Sequence, residues 1–174
     1  MLHSAPATAN YKIVTPEAIE EALKTGKLKQ TIFGTGCFWS PDSNFGGRPG
    51  VVQTRVGYAG ASTLEPSYRD IKGHAEVVRV VYDSDQISYR ELLGNFESWI
   101  VHDRKQGQYR QILFVFDREQ KQIAEELIQA IGKENAPEVI EVGEQNGTFW
   151  SGEDYHQKYR LRRNKALVSV AEQE

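Results

Sequence analysis

The chain contains little sulfur, with one cysteine, Cys37, and one methionine among 174 residues. A single cysteine excludes an internal disulfide framework and any zinc site built from several cysteines, and it favours a reducing, cytoplasmic location. No apolar run approaches the roughly 20 residues that span a bilayer. The first residues lack a basic stretch followed by an apolar one, so neither a membrane anchor nor a signal peptide is predicted. The net charge of −3 disfavours a nucleic-acid binder.

The composition is that of an ordinary globular domain. Hydrophobic residues make up 39% and charged residues 26% of the chain, which excludes wholesale disorder. The length is typical of one domain. Because residues 1–14 mix small and polar types, we expect an N-terminal arm there and a single domain over residues 15–174. We also expect a monomer.

Hydrophobic periodicity predicts alternating helices and strands, and therefore a mixed α/β domain. Thr15 and Pro16 are typical of a helix start, Ser88 and Glu91 form a capping box, and Asp117 repeats the capping pattern. Helices are predicted over 15–26, 38–46, 88–99, 117–132 and 154–165. Strands are predicted over 30–36, 51–58, 77–82, 109–116 and 137–142, and the last of these is expected to be the final strand of the chain.

Cys37 is the first candidate for chemistry. A lone cysteine is more often a buried, inert apolar residue. Here it follows a predicted strand and a Gly-Thr-Gly turn, and a predicted helix comes directly after it. Free backbone N–H groups and the helix dipole stabilise a thiolate at such a junction, so Cys37 is predicted to be a nucleophile.

Phe38 and Trp39 follow Cys37, and two adjacent large aromatic residues cannot both enter the core from one helix face. Core packing accounts for Phe38 alone. A tryptophan beside a nucleophile is better explained as the wall of an apolar pocket, one that fits a methyl group or a thioether.

Glu76 and two tyrosines are candidates for proton transfer and hydrogen bonding. Alternation along the strand places Glu76 on the same face as Val78 and Val80, so a buried carboxyl with a raised pKa, usable as a general acid, is one interpretation. An exposed carboxylate at a strand end is the other. Tyr68 in a loop and Tyr109 at the start of a strand each carry a hydroxyl that can donate to a substrate oxygen, although half-buried rim residues would look the same.

The histidines give no metal-ligand spacing to one another, so no metal site is predicted. His74 is the one histidine that a cysteine hydrolase could place beside Cys37. His102 and Asp103 are more simply a turn after a helix. The basic segment 158–165 is interpreted as a solvated helix face rather than an RNA-binding patch.

Seven short motifs occur in order between about residue 30 and residue 160. They are Gly36-Cys37-Phe38-Trp39, Val56-Gly57-Tyr58-Ala59-Gly60, Pro66-Ser67-Tyr68, Gly73-His74-Ala75-Glu76-Val77-Val78, Ile87-Ser88-Tyr89 with Leu92-Leu93, Gln108-Tyr109-Arg110, and Asp154-Tyr155-His156-Gln157-Lys158-Tyr159. Each is weak alone, but their joint order resembles the A-type peptide methionine sulfoxide reductases, the MsrA family.

The resemblance implies a fold and a mechanism. The fold would be a two-layer α/β sandwich, with a ferredoxin-like mixed sheet covered by helices. Cys37 would attack the sulfoxide sulfur of methionine S-sulfoxide, and Glu76 would protonate the departing oxygen. Tyr68 and Tyr109 would hydrogen-bond that oxygen, while Phe38 and Trp39 hold the methyl group. Methionine and a Cys37 sulfenic acid would result, without a bound metal or organic cofactor.

Several positions depart from the family pattern. Ser40-Pro41-Asp42 stand where Gly-x-Glu is usual, the loops before Gly73 and before Gln108 are shorter, and Asp103 does not align with the family's aspartate. No resolving cysteine follows Cys37. An external thiol must therefore reduce the sulfenic acid, and thioredoxin, glutaredoxin with glutathione, or a small dithiol are the expected reductants.

Two other functions remain open from sequence alone. A divergent relative could bind oxidised methionine, or sense peroxide through Cys37, without efficient turnover. An unrelated cysteine hydrolase would need His74 beside Cys37. The sequence does not choose between free and protein-bound methionine sulfoxide as substrate.

Overall fold

The computed structural model describes residues 15–61, 64–97, 106–143 and 147–163. Over these ranges the chain forms five α-helices, six strands and one short 3-10 helix. In chain order they are α1 (Pro16–Lys24), β1 (Lys29–Thr35), α2 (Trp39–Gly46), β2 (Val51–Ala59), β3 (Ala75–Tyr82), α3 (Tyr89–Glu97), β4 (Gln111–Val115), α4 (Arg118–Ile131), β5 (Glu138–Glu141), β6 (Trp150–Ser151), the 3-10 helix (Asp154–His156) and α5 (Tyr159–Arg163).

The strands form one mixed sheet in the order β5-β4-β1-β3-β2-β6. The central strands β4, β1, β3 and β2 pair antiparallel with one another. Together with α2 and α3 they make the β-α-β-β-α-β arrangement of a ferredoxin-like fold. β5 extends the sheet parallel to β4, and β6 pairs antiparallel with β2. The predicted fold class is therefore confirmed.

The sheet separates two groups of buried side chains, as period-2 alternation requires. On one face Phe33, Val78 and Val80 pack with Phe45 of α2 and Phe96 of α3. The other face carries smaller residues in the middle of the sheet, among them Ile32, Ala75 and Val77. Glu76 lies in register with Val78 and Val80, on the face that α2 covers.

The predicted helix starts are confirmed by their capping bonds. The Thr15 hydroxyl accepts from the Ala18 amide at 3.2 Å, and the Asp117 carboxylate accepts from the Gln120 amide at 2.8 Å. Ser88 and Glu91 exchange the two bonds of a capping box at 3.1 and 2.8 Å. Each cap satisfies N–H groups that the first turn of a helix leaves without a partner.

Three predicted boundaries are wrong. Tyr109 does not begin a strand but lies in a turn two residues before β4. The segment 137–142 is not the last strand, because β6 follows it. The predicted C-terminal helix is two short helical segments, interrupted at Lys158, whose φ of 54° is left-handed.

The N-terminal arm over residues 1–14, Trp99, His102, Asp103 and the end of the chain after residue 163 lie outside the described residues. In the part of the chain that is described, no helix is both long and apolar enough to cross a membrane.

Candidate active site

Cys37 lies in the short link between β1 and α2, and its side chain is exposed. Gly36 makes the turn with a φ of 95°, a conformation that glycine adopts without steric cost. α2 begins two residues after the cysteine, at Trp39. The predicted sequence of strand, glycine turn, cysteine and helix is therefore confirmed, and it presents the sulfur to solvent near the N-terminus of a helix.

Glu76, near the start of β3, is 1% exposed. One carboxyl oxygen, Oε2, accepts a hydrogen bond from the backbone amide of Phe38 at 3.1 Å, and the other accepts from the Gln108 side-chain amide at 2.6 Å. Burial raises the pKa of Glu76, and these two donors oppose it without reversing the direction. A buried acid thus lies directly beside the residue that follows Cys37.

Tyr68 and Tyr109 lie at the edge of the same site, and they are 39% and 43% exposed. Desolvation, followed by the nearby Glu76, Tyr68 and Cys37, raises the pKa of Tyr109. The Tyr109 hydroxyl is therefore close enough to the Glu76 carboxyl, the Tyr68 hydroxyl and the Cys37 sulfur to interact with each of them electrostatically. The raised pKa keeps the Tyr109 hydroxyl a protonated donor over the neutral pH range.

The two aromatic residues after Cys37 have different environments. Phe38 is 1% exposed, and its ring centroid lies 5.9 Å from that of Tyr58 in the core. Trp39 is half-buried and stacks on Tyr159 of α5, with centroids 3.8 Å apart and planes 12° apart. The tryptophan therefore belongs to an aromatic group at the surface rather than to the core.

His156 is at the centre of this aromatic group, and the sequence analysis did not select it. The Trp39 indole N–H donates to Nδ1 of His156 at 3.1 Å. The His156 ring also lies 5.1 Å from Phe38 and 4.6 Å from Tyr68, measured between centroids. Burial lowers the pKa of His156, so the ring is neutral and its proton is on Nε2. Among the described residues Nε2 has no hydrogen-bond partner.

Glu153 is the second residue that sequence reasoning missed. Its Oε2 accepts from the Tyr58 hydroxyl at 2.7 Å, and its Oε1 accepts from the Tyr68 backbone amide at 2.8 Å. Burial opposes ionisation, but these hydrogen bonds outweigh it and hold the pKa of Glu153 below its ordinary value. A carboxylate therefore joins the loop of Tyr68 to the strand of Tyr58.

Asp42, which replaces the usual glutamate of the motif, anchors α2 to the C-terminal segment. It is 1% exposed and accepts from the Lys158 ammonium at 2.6 Å, the Lys158 amide at 2.9 Å and the Thr54 hydroxyl at 2.6 Å. The two bonds to Lys158 hold that residue in its left-handed conformation. The segment carrying His156 and Tyr159 is thereby fixed against the helix that follows Cys37.

Arg110 fastens the loops around the site. Its guanidinium donates to the backbone carbonyls of Gly73, Gly107 and Gly60 at 3.0, 3.1 and 2.7 Å, and it pairs with Glu138 at 3.4 Å. Gly73 precedes Glu76 and Gly107 precedes Tyr109, so the same side chain holds the loops of both residues.

His74 does not act on Cys37. Its Nδ1 accepts from the Ala61 amide at 3.3 Å, and its Nε2 lies 3.0 Å from the Leu64 carbonyl. Both nitrogens are engaged with loop backbone, so the geometry gives the cysteine hydrolase no base. Across the described ranges, no three histidine, cysteine or carboxylate side chains are grouped as metal ligands.

The structure places all six predicted site residues in one region around the exposed sulfur. They are Cys37, Phe38, Trp39, Tyr68, Glu76 and Tyr109. Their chemical roles stay predictions. Sequence reasoning missed Gln108, Glu153 and His156, which touch the predicted residues directly. Gln108 and His156 stand in the recognised motifs, whereas Glu153 only precedes the last motif, so no signal pointed to it.

Comparisons with known proteins show the family. Residues 29–173 match the family model for peptide methionine sulfoxide reductase. A peptide methionine sulfoxide reductase MsrA from Methanoculleus marisnigri is 42% identical over 153 residues, covering 78% of this chain and 91% of the relative. One from Deinococcus radiodurans is 37% identical over 174 residues, covering 90% of this chain and 82% of the relative.

Solved structures resemble the fold as well. Methionine sulfoxide reductase A of Corynebacterium diphtheriae superposes with a TM-score of 0.61 at 28% identity, covering 79% of this chain and 76% of that one. Mxr1 from Saccharomyces cerevisiae in reduced form gives 0.63 at 29% identity, covering 80% and 87%.

Proposed function

Because the chain belongs to the peptide methionine sulfoxide reductase family, it is an enzyme that reduces methionine sulfoxide, and we propose that Cys37, Glu76, Tyr68 and Tyr109 carry out the reaction. The activity returns oxidised methionine to methionine and so repairs proteins after oxidative stress. The residue assignments rest on the geometry of the site.

One observation carries the assignment: the buried carboxyl of Glu76 accepts a hydrogen bond from the amide of Phe38. A sulfoxide sulfur becomes a good electrophile only when its oxygen is protonated or strongly hydrogen-bonded. The acid must therefore keep its proton near neutral pH, and burial of Glu76 raises its pKa in that direction. The hydroxyls of Tyr68 and Tyr109 add two donors for the same oxygen.

The exposed thiolate of Cys37 attacks the sulfur of the sulfoxide while Glu76 protonates its oxygen. The sulfur–oxygen bond of the substrate then breaks, and the oxygen is transferred to Cys37. The substrate is reduced to methionine, and Cys37 is oxidised to a sulfenic acid. The proton that Glu76 gives to the oxygen stays on the sulfenic acid, and the Glu76 carboxylate regains one proton from solvent, which balances the step.

Phe38 and Trp39 supply the apolar contacts for the methyl group of the substrate. Trp39 is half-buried and braced by Tyr159 and His156, so its ring is held rigidly at the surface of the site. A fixed aromatic wall on one side and oxygen donors on the other distinguish the two configurations at sulfur. The family resemblance implies that the S epimer is reduced and the R epimer is left.

An external thiol completes the cycle, since Cys37 is the only cysteine in the sequence. Two thiols reduce the sulfenic acid to the free cysteine, and they leave as one disulfide and one water. Thioredoxin, or glutaredoxin with glutathione, fits this requirement because Cys37 is exposed. No bound cofactor is needed. We place the enzyme in the cytoplasm, as a monomer.

The test is multiple-turnover reduction of racemic N-acetyl methionine sulfoxide with dithiothreitol, followed by chiral separation of the remaining substrate. Consumption of half the racemate over many turnovers is expected, with Cys37→Ser as the inactive control. Sulfoxide binding that yields no more than one methionine per chain would instead support a binder or peroxide sensor. Activity retained in Cys37→Ser would refute the assignment of the nucleophile.

A further inference from the structure

The loop that carries Tyr68 is tied to the C-terminal segment through one side chain. The Tyr68 amide donates to Oε1 of Glu153 at 2.8 Å. Within the loop, the Ser67 and Asp70 backbones bond to each other at 3.0 and 3.1 Å, which closes a tight turn around Tyr68. A tight turn held at its second residue by a carboxylate has little freedom to rotate.

The same carboxylate is itself fixed from the core. The Tyr58 hydroxyl donates to Oε2 at 2.7 Å, and Tyr58 is 1% exposed in the middle of the sheet. Burial raises the pKa of Tyr58, so its hydroxyl remains a donor at every working pH. Glu153 therefore links the buried Tyr58 to the surface loop that carries Tyr68, and this link fixes the position of the loop.

His156 adds a second contact between the same two segments. Its ring lies 4.6 Å from the Tyr68 ring, and its Nε2 is 3.9 Å from Oε2 of Glu153. Tyr68 is thus held by two contacts: the imidazole of His156 packs against its ring, and the carboxylate of Glu153 binds its backbone amide. Neither Glu153 nor His156 needs to touch the reacting sulfur to do this.

We propose that Glu153 is a positioning residue that aims the Tyr68 hydroxyl at the sulfoxide oxygen. This inference rests on the proposed role of Tyr68. Glutamine in place of Glu153 offers one acceptor oxygen, whereas Tyr58 and Tyr68 present two donors. One donor is left without its partner, and the loop that bears Tyr68 can shift. A displacement of about 1 Å can cost up to about a hundredfold in rate.

The test compares Glu153→Gln in three backgrounds, measured as methionine formed in a single turnover without reductant. In the parent enzyme Tyr109 partly compensates, so the rate falls by a few fold. In Tyr109→Phe the Tyr68 hydroxyl is the remaining tyrosine donor, and the rate falls by about tenfold. In Tyr68→Phe there is no hydroxyl to aim, and Glu153→Gln changes the rate less than about twofold.

A residue that only supports the fold would lower all three rates by the same factor, and that outcome overturns the proposal. So does an unchanged rate in every background. If Cys37→Ser and Glu76→Gln both lose activity but Glu153→Gln leaves the rate unchanged, this inference is overturned and the proposed function stands. Full activity in those two variants would overturn the function itself.

Two further variants keep the comparison interpretable. Glu126→Gln is the matched control, because its exposed carboxylate pairs only at the surface with Arg90, at 2.6 Å, and it is expected to leave every rate unchanged. If Glu153→Gln does not fold, Glu153→Asp keeps the charge and shortens its reach. The same dependence on background is expected of it, and a uniform loss would again count against the proposal.

Discussion

The pH dependence of catalysis provides the sharpest test of Glu76 as the acid, and Gln108 is the residue to change. The Gln108 side-chain amide donates to Oε1 of Glu76 at 2.6 Å, and this bond favours the carboxylate. Gln108→Leu keeps the size of the side chain but removes the donor. The backbone bond between Glu76 N–H and the Gln108 carbonyl, 2.8 Å long, is retained.

The magnitude follows from the strength of the lost bond. A hydrogen bond to a charged group contributes about 1.5–3 kcal/mol, whereas one to a neutral group contributes about 1 kcal/mol. The difference, about 0.5 to 2 kcal/mol, is the preference that the carboxylate loses relative to the acid. Since 1.36 kcal/mol corresponds to one pKa unit, the pKa of Glu76 rises in the variant by about one. The acid then keeps its proton to higher pH.

Single-turnover methionine formation should be measured from pH 5 to pH 10 by rapid quench. The alkaline limb of the rate profile should move up by about one pH unit in Gln108→Leu, while the acid limb stays in place. Tyr58 and Tyr109, two tyrosines whose pKa values the nearby Glu76 helps to raise, do not produce this limb.

Gln122→Leu serves as the control, because Gln122 is exposed on α4 and contacts Glu126 rather than the site. It should reproduce the parent profile. An alkaline limb that stays in place in Gln108→Leu, or moves to lower pH, would refute the argument that Glu76 donates the proton.

Three further outcomes are expected. Glu76→Gln should lower single-turnover methionine formation by about a hundredfold or more while Cys37 still reacts with a thiol reagent; a rate within threefold of the parent would contradict the assignment. Asp42→Ala should lower the free energy of unfolding by about 2 kcal/mol in urea titration, because it removes a buried carboxylate that accepts from the Thr54 hydroxyl and from the half-exposed Lys158. A loss below about 0.5 kcal/mol would show that these bonds contribute little. Without added thiol, the enzyme should form one methionine per chain and then stop, with a sulfenic acid on Cys37 that dimedone traps; continued turnover would mean that another reductant acts.

Local patterns predicted the parts of the site that lie on regular elements. Glu76 was found because alternation along a strand of valines indicates which face a side chain occupies. Cys37 was found because a strand, a glycine turn and a helix start are each visible within a few residues. Such signals lie within a few neighbouring residues, so they can be recognised without knowledge of the tertiary structure.

The remaining features depend on contacts between distant segments. The two residues of β6 are too few to show an alternation of polar and apolar residues. They form a strand because the edge of β2 that does not pair with β3 is available to them. Tyr109 falls outside a strand because the guanidinium of Arg110 bonds to loop carbonyls, which holds residues 107–110 in a turn. Lys158 breaks the C-terminal helix because Asp42, 116 residues earlier, binds both its amide and its ammonium.

Glu153 and Gln108 could not be assigned for the same reason. Each acts on a partner far away in the chain, Tyr68 in one case and Glu76 in the other. A carboxylate and an amide in polar loops look like ordinary solvated residues in one sequence. Only the fold shows which donors and acceptors they meet.

The hydrogen bonds from Arg110 to the loop carbonyls limit which changes of sequence and length these loops can accept. Its three loop partners are the main-chain oxygens of glycines with positive φ, and a Cβ at Gly60 would lie 2.8 Å from Nη2 of Arg110, so these contacts depend on glycine at the three positions. Insertions and deletions that return a glycine carbonyl to the same spot leave the anchor intact. The connection before Gly73 also carries the turn of Tyr68, so a change of length there preserves the chemistry only if it keeps both this turn and the glycine carbonyl in place.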